Sequence, residues 1–221
     1  ETGTDQTIPA RVSWQGSVTL PARDLLAFAK GAPKESTVDV CATVDGARVI
    51  ISAYAGGLRT ELLGIVSDEY PLVGDGPTSY IASVWADDLR AAIGSTTYAA
   101  ATDGRRVILE GISFKVRGRT VELAAADNYR IGVAQLTADA VGTMGADPDD
   151  LVPLARGLDL VAAAIGPKGH GLVGIWRSAK GMPVLTFDVG SARILVRCID
   201  GTFPDYRKIL PLDSPKQATA T

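Results

Sequence analysis

The sequence predicts an α+β fold built from a repeated unit in which one helix is followed by antiparallel strands. Residues 18–71 and 151–204 share the same order, namely a short amphipathic stretch, three strand-like runs and a closing segment that ends in proline. Pro153 lies 132 residues after Pro21, and Pro204 lies 133 residues after Pro71. Because the two offsets are nearly equal, we infer that one structural unit has been duplicated with almost no net insertion.

The first copy reads as one helix and three strands. Apolar residues at helical spacing follow Pro21 and stop near Gly31, so an amphipathic helix is predicted between them. Alternating apolar residues, separated by glycine-containing turns, predict the strands. These strands are expected over residues 38–44, 49–53 and 58–66.

The second copy repeats this order. Its helix is predicted from apolar residues that recur every three to four positions, and Gly166 ends it. These apolar residues are Leu154, Leu158, Val161, Ala162 and Ile165. The strands are expected over residues 172–176, 184–189 and 194–199.

A related unit lies between the two copies. A helical stripe that begins at Trp85 is followed by alternating runs over residues 112–116 and 121–125. The segment GTD at residues 3–5, followed by residues 8–14, resembles the end of this middle unit. The segment GDGP at residues 74–77 is rich in glycine and proline, and it is the predicted domain boundary.

Composition and charge narrow the class of protein. With 46% hydrophobic and 21% charged residues the chain is typical of a soluble globular protein, and no run approaches the roughly 18 apolar residues of a membrane span. The formal charge of -3 does not indicate nucleic-acid binding, so any such binding must come from a local surface. Cys41 and Cys198 each lie in an apolar strand-like run, which predicts buried free thiols and favours a reducing, cytosolic compartment.

Several polar groups allow two interpretations each. Asp127 with Arg130 or His170 would suit a small hydrolase or transferase. However, an aspartate followed by an asparagine after a predicted strand is typical of a turn, and His170 lies between glycines with no cysteine nearby in the sequence. The acidic segment DPDD at residues 147–150 could bind a cation or form a solvated linker. We favour the solvated linker. Because the glycine-rich segments also lack the spacing of a nucleotide-binding loop, we expect no metal, nucleotide or other cofactor.

Three segments resemble one protein family. The runs VILEGISF at residues 107–114, LAAADNYRI at 123–131 and IDGTFPDYRKILP at 199–211 are similar, in this order and spacing, to segments of the bacterial sliding clamp, the β subunit of DNA polymerase III. The first run resembles the strand that enters the family's second domain. The resemblance covers residues 2–212 and implies the DNA-clamp fold, with helices on an inner face and sheets outside.

The resemblance also implies a domain organisation. Residues 1–76 match the C-terminal half of the family's first domain, residues 77–211 match its complete second domain, and residues 212–221 are a polar tail or the start of a third domain. The first half of the first domain and the whole third domain have no counterpart in the sequence. Because the family's two-subunit ring closes through the first and third domains, we expect this chain to be monomeric or loosely associated rather than a ring-shaped homodimer.

The function implied by the resemblance is that of a processivity factor in DNA replication. A clamp of this family encircles double-stranded DNA without reading its sequence, and it tethers DNA polymerase III and the clamp loader through linear peptide motifs. It carries out no bond chemistry, needs no cofactor and would act in the cytoplasm. A repeat-built protein interaction module without a role on DNA is the alternative interpretation.

Two sets of site residues also follow from the resemblance. Cations on the helices and in one basic turn would face duplex phosphates, and these are Arg23, Lys30, Arg90, Arg105, Arg106, Arg156 and Lys168. The peptide pocket would be lined by Leu109, Ala126, Asn128, Tyr129, Arg130, Ile131 and Pro211. Asn128 and Tyr129 stand where the family usually has Gly-His, and Ala126 stands where it has Thr. Because the third domain would supply the other wall of this pocket, we expect weaker peptide binding than in a complete clamp.

Overall fold

The structure is a computed structural model, and it divides into two compact units. The smaller unit is Pro9–Leu72, and the larger unit combines Glu1–Ile8 with Val73–Thr221. The predicted boundary at residues 74–77 lies outside the part of the chain that the structure describes. The described residues are 2–13, 15–45, 48–67, 79–142, 151–167, 169, 171–178 and 183–208.

Helices and antiparallel strands alternate along the chain. In chain order the elements are β1 (Thr2–Gln6), β2 (Val18–Thr19), α1 (Ala22–Gly31), β3 (Val38–Asp45), β4 (Arg48–Ala55), β5 (Leu58–Val66), β6 (Ser79–Trp85), α2 (Ala86–Gly94), β7 (Ser113–Arg117), β8 (Thr120–Ala126), β9 (Ile131–Thr137), β10 (Ala140–Val141), α3 (Ala155–Ile165), β11 (Leu172–Arg177), β12 (Val184–Val189) and β13 (Ala192–Arg197). Single 3-10 turns lie at Thr97–Ala99, Val107–Glu110 and Tyr206–Lys208. No described helix is both long enough and apolar enough to span a membrane.

The smaller unit is a four-stranded sheet with α1 packed against it. The strand order is β2-β5-β4-β3, and every neighbouring pair is antiparallel. Helix α1 follows Pro21, whose carbonyl accepts hydrogen bonds from the backbone N–H groups of Asp24 and Leu25. At the β4–β5 turn Gly56 and Gly57 both have positive φ, as a two-residue turn of type I′ requires.

The larger unit contains two sheets and one main apolar core. A six-stranded sheet has the order β1-β13-β12-β11-β6-β10, and a three-stranded sheet has the order β7-β8-β9. Helices α2 and α3 pack against each other and against strands of both sheets. The core includes Leu89 and Leu158 from the helices together with Phe114 and Phe187, whose rings meet edge to face at 6.4 Å between centroids.

The internal repeat is confirmed by the strand pairing. Each copy places a helix before three consecutive strands that pair in sequence order, β3-β4-β5 in one copy and β11-β12-β13 in the other. The last hairpin of each copy closes in the same register, with Ala55 opposite Leu58 in the first copy and Val189 opposite Ala192 in the second. The duplicated sequence therefore encodes a duplicated topology.

Some predicted element boundaries were wrong. Trp85 ends β6 and is 51% exposed, so it is not part of the helical stripe. Val107–Glu110 form a 3-10 turn rather than a strand, and β7 begins only at Ser113. The last strand of the second copy is Ala192–Arg197 instead of residues 194–199. The described residues between 8 and 13 form no strand, and Ile8 is 70% exposed there.

The prediction of two buried thiols was correct only for Cys198. Burial raises the pKa of the Cys198 thiol to about 12. Cys41 is free but exposed on β3. Its strand is apolar because of its β-branched residues, yet the sheet of the smaller unit leaves Val38 and Val40 largely in solvent as well. An apolar strand pattern therefore overestimates burial where the core is small.

Leu158→Ala tests the buried face of α3. Leu158 has no exposed surface, so we expect the substitution to lower the free energy of unfolding by about 2–5 kcal/mol. Leu160 lies on the same helix but is 51% exposed, and Leu160→Ala should change the same quantity by less than about 0.5 kcal/mol. Urea denaturation measures both. Equal losses in the two variants would contradict the orientation of α3.

Candidate functional site

A basic turn leads into the candidate site. The Asp103 carboxylate accepts a hydrogen bond of 3.1 Å from the backbone N–H of Arg105 and lies 3.7 Å from its guanidinium. Arg105 and Arg106 are exposed. The turn thus presents two cations immediately before the 3-10 turn Val107–Glu110.

The 3-10 turn fixes one apolar side chain, Leu109. The Leu109 N–H donates to the Arg106 carbonyl, and the Leu109 carbonyl accepts from Ala101 at 2.8 Å. A Cβ at Gly111 would lie 2.5 Å from the Val152 side chain, so glycine is needed where the chain leaves this turn. Leu109 is consequently held between two backbone segments and is 6% exposed.

A second turn, after β8, is organised by Asp127. One carboxylate oxygen accepts hydrogen bonds from the backbone N–H groups of Tyr129 at 2.7 Å and Arg130 at 2.9 Å, and the other accepts from the Arg130 Nε at 2.9 Å. These donors, the Tyr129 N–H first among them, hold the pKa of the Asp127 carboxyl below its usual 3.8. Such a carboxylate is a weak base. The turn interpretation of Asp127 therefore agrees with the geometry, and the catalytic interpretation does not.

The Asp127 turn also sets the positions of two large side chains. Tyr129 projects outward and is 95% exposed. The Arg130 guanidinium lies over the ring of Tyr98, 5.8 Å from its centroid, where a cation–π contact adds to the ion pair with Asp127. Tyr129 is thus free to contact a ligand, whereas Arg130 is engaged by neighbours within the protein.

The two turns enclose a cavity of about 390 Å³. It brings Leu109, Asn128 and Tyr129, predicted as pocket residues, together with Arg105 and Arg106, predicted to bind DNA. The other lining residues were not predicted for either site, although Asp127 was considered as a catalytic or turn residue; they are Ala101, Thr102, Asp103 and Asp127. Ala126, Arg130 and Ile131 adjoin the cavity without lining it, and Pro211 lies outside the described residues.

An apolar cluster lies beneath the cavity. It contains Leu109, Ala124, Ala126, Val152, Phe203 and Tyr206, with Ile131 packed against it. Ala124 and Ala126 point to one face of β8, while Val121, Leu123 and Ala125 point to the opposite face and join the main core with the helices. Strand β8 therefore separates the helix side of the larger unit from the cavity side.

One buried carboxylate lies at the other end of the cavity face of β8. Glu122 is 6% exposed and accepts hydrogen bonds from the Tyr206 hydroxyl at 2.6 Å, from Arg207 at 2.6 and 2.7 Å, and from Gln135 at 2.7 Å. Burial alone would raise the pKa of Glu122, but these hydrogen bonds outweigh it and hold the pKa below 4.5. Glu122 is therefore an ionised group with both oxygens satisfied.

The described helix cations are exposed and are not among the residues that line the cavity. Arg90 on α2 and Arg156 on α3 are exposed, and neither has an acidic partner among the residues that the structure describes. Arg23 and Lys30 are likewise exposed on α1 of the smaller unit. Lys168 lies outside the described residues.

The described part of the chain offers no catalytic or metal constellation. It contains no group of three or more His, Cys, Asp or Glu side chains that could hold a metal ion. His170 and the acidic segment at residues 147–150 lie outside it. The exposed polar groups at the cavity are suited to binding rather than to bond chemistry.

Comparison with known proteins identifies the family. A family profile described as "DNA polymerase III beta subunit, central domain" matches residues 83–205, which include both turns of the cavity, α2, α3 and β8. The chain belongs to the DNA polymerase III β-subunit family. The resemblance seen in the sequence and the predicted α+β clamp fold are both confirmed.

Relatives of this β-subunit family cover nearly the whole chain. The Vibrio cholerae "Beta sliding clamp" is 28% identical over 201 residues, which are 91% of this chain and 52% of that protein. The "Beta sliding clamp homolog GriR" of Streptomyces muensis is 30% identical over 96% of this chain and 54% of its own length. The crystal structure of the β subunit from Pseudomonas aeruginosa has a TM-score of 0.79 and 25% identity, covering 96% of this chain and 55% of that one. The chain thus spans about half the length of the curated relatives it matches.

The Asp127 turn predicts a measurable titration. We expect the Asp127 carboxyl to titrate below 3.8 in carbon-13 NMR, because its donors favour the ionised form. Since the folded pKa is depressed, the stability it contributes is present above the unfolded pKa and is lost as the pH falls through the folded pKa. In Arg130→Gln the midpoint should move upward, while Arg59→Gln in the smaller unit should leave it unchanged. A wild-type midpoint at or above 3.8 would disprove this account.

Proposed function

We propose that this chain acts as a DNA sliding clamp, a non-catalytic processivity factor that encircles duplex DNA and tethers the replicative polymerase. The observation that carries the proposal is the separation of two surfaces by β8. Exposed cations lie on the helices packed against one face, and the cavity lies on the other. A protein that slides along DNA while holding a partner needs two such separate surfaces.

The helix surface suits contact with phosphates. Arg90 and Arg156 are exposed, lack acidic partners among the described residues, and lie on two helices that pack against each other. Contacts of this kind are independent of base sequence and sensitive to salt, so they do not hold a protein at one site. Asp87, Asp88 and Asp159 are exposed on the same helices and keep the attraction weak.

The cavity suits a short linear peptide. Leu109 offers an apolar wall, Tyr129 offers an exposed aromatic ring, and Arg105 and Arg106 add two positive charges. Aromatic and arginine side chains around an apolar wall are typical of strong contacts in interfaces. We therefore assign Arg105 and Arg106 to the peptide rather than to DNA, and we expect a peptide with an apolar anchor next to acidic residues.

The remaining assignments follow from family membership. We propose that residues 9–76 are the C-terminal half of a first clamp domain and that residues 77–211 are a complete second domain, to whose sheet β1 is added through its pairing with β13. Residues 212–221 would begin a tail or third domain. DNA polymerase III and the clamp loader would be the peptide-bearing partners, and the cytoplasm would be the compartment. We propose the ring-shaped homodimer for full-length clamps of this family.

Charge removal on the helices tests the DNA surface. Arg90→Ala and Arg156→Ala should each weaken binding to duplex DNA equally for all sequences and reduce the slope of log affinity against log salt by about 1. Fluorescence anisotropy with two unrelated duplexes, over a salt series, measures both effects. Arg117→Ala is the matched control, because Arg117 is an exposed cation on strand β7 rather than on a helix. If Arg117→Ala has the same effect as the helix variants, the helix surface is not the DNA-binding surface.

Tyr129→Ala tests the cavity. Because the side chain is 95% exposed, its removal should leave stability unchanged while lowering affinity for a labelled peptide from the clamp-binding segment of a bacterial polymerase by about tenfold. Titration followed by anisotropy measures the affinity. Tyr54→Ala, an exposed tyrosine in the smaller unit, serves as the control and should bind normally. Equal affinity in wild type and Tyr129→Ala would exclude the cavity as the peptide site.

A further inference from the structure

The segment 199–208, here called the strap, crosses the cavity face of β8. At its start the Ile199 N–H donates to the Val152 carbonyl at 2.8 Å. Phe203 and Tyr206 are then buried against Ala124 and Ala126 of β8. The strap thus covers the face of β8 that does not meet the helices.

The strap also supports the wall of the cavity. Leu109, which lines the cavity, belongs to the same apolar cluster as Phe203 and Tyr206. Ile108, the residue before it, packs against that cluster, and a Cβ at Gly201 would lie 3.4 Å from its side chain. A shift of the strap would therefore be transmitted to the 3-10 turn that presents Leu109.

The far end of the strap is held by one charged group. The Glu122 carboxylate accepts one hydrogen bond from the Tyr206 hydroxyl and two from Arg207. The Gln135 side chain on β9 donates a further hydrogen bond, which satisfies the remaining acceptor capacity of the carboxylate. Hydrogen bonds to an ionised acceptor are about twice as strong as neutral ones.

We propose that Glu122 is a positioning residue for peptide binding, because it holds the strap that supports the Leu109 wall. This inference rests on the proposed peptide-binding function. It concerns a residue that neither lines the cavity nor touches the peptide. Its effect passes through Tyr206 and Arg207.

The test compares substitutions of Glu122 with a matched control. Glu122→Gln keeps the shape of the side chain but loses the charge, so it should weaken binding of the labelled polymerase peptide by about tenfold and speed hydrogen exchange in residues 203–208. Glu122→Asp restores the carboxylate and should bind within about threefold of wild type. Glu61→Gln makes the same chemical change on the exposed strand β5 and should alter neither quantity.

A double substitution distinguishes positioning from general stability. Tyr206→Phe removes one hydroxyl from the same network and should weaken binding by about threefold, and adding it to Glu122→Gln should cause little further loss because both act through the strap. Measurements well below the unfolding temperature keep mildly destabilised variants folded. If Glu122→Gln does not fold, the affinity of Tyr206→Phe decides the question.

The outcomes separate the two proposals. Wild-type affinity in Glu122→Gln, or in Tyr206→Phe where the first variant does not fold, would overturn the role of Glu122 and leave the cavity as the peptide site. A wild-type chain that does not bind the peptide would overturn the proposed function and the role of Glu122 with it. Weak binding that Glu122→Asp does not restore would also count against positioning by the carboxylate.

Discussion

The larger unit depends on a strand that is buried on both faces. Antiparallel sheets commonly leave one face in solvent, yet every residue of β8 from Val121 to Ala126 is buried. Leu123 has no exposed surface on the helix side, and Ala124 is 1% exposed on the other. Two separate apolar clusters can form only because the strap covers the face that the helices leave open. The cavity and the helix surface are consequences of this double burial.

The periodic parts of the sequence were enough to predict most of the fold. Strand β5 and strand β12 occur with the predicted limits, and α3 differs from its predicted span by one residue at its start. The errors fall where the apolar periodicity of the sequence does not match the secondary structure. Val107–Glu110 is as apolar as a strand, yet it forms a 3-10 turn. The residues that follow it are held by long-range contacts, because Gly111 bridges Leu154 and the Ile112 N–H donates to the Pro153 carbonyl. Tertiary contacts of this kind produce no periodic pattern in the sequence.

The candidate site could be predicted only in part. Leu109, Asn128 and Tyr129 were found because they stand at positions that resemble a known family. The cationic turn was recognised as basic, but its position beside the cavity depends on the hydrogen bond between Ala101 and Leu109. Glu122 and Arg207 lie 85 positions apart, so no local pattern could have paired them. A single sequence does not indicate which distant residues contact each other in the fold.

The contrast between the two cysteines has a practical consequence. A thiol must be accessible and ionised to react, and Cys198 is neither at neutral pH, whereas Cys41 is in solvent on β3. The chain has no other cysteine. A maleimide dye added to the native protein would therefore label the smaller unit alone, and its fluorescence would report on that unit without any engineered attachment point.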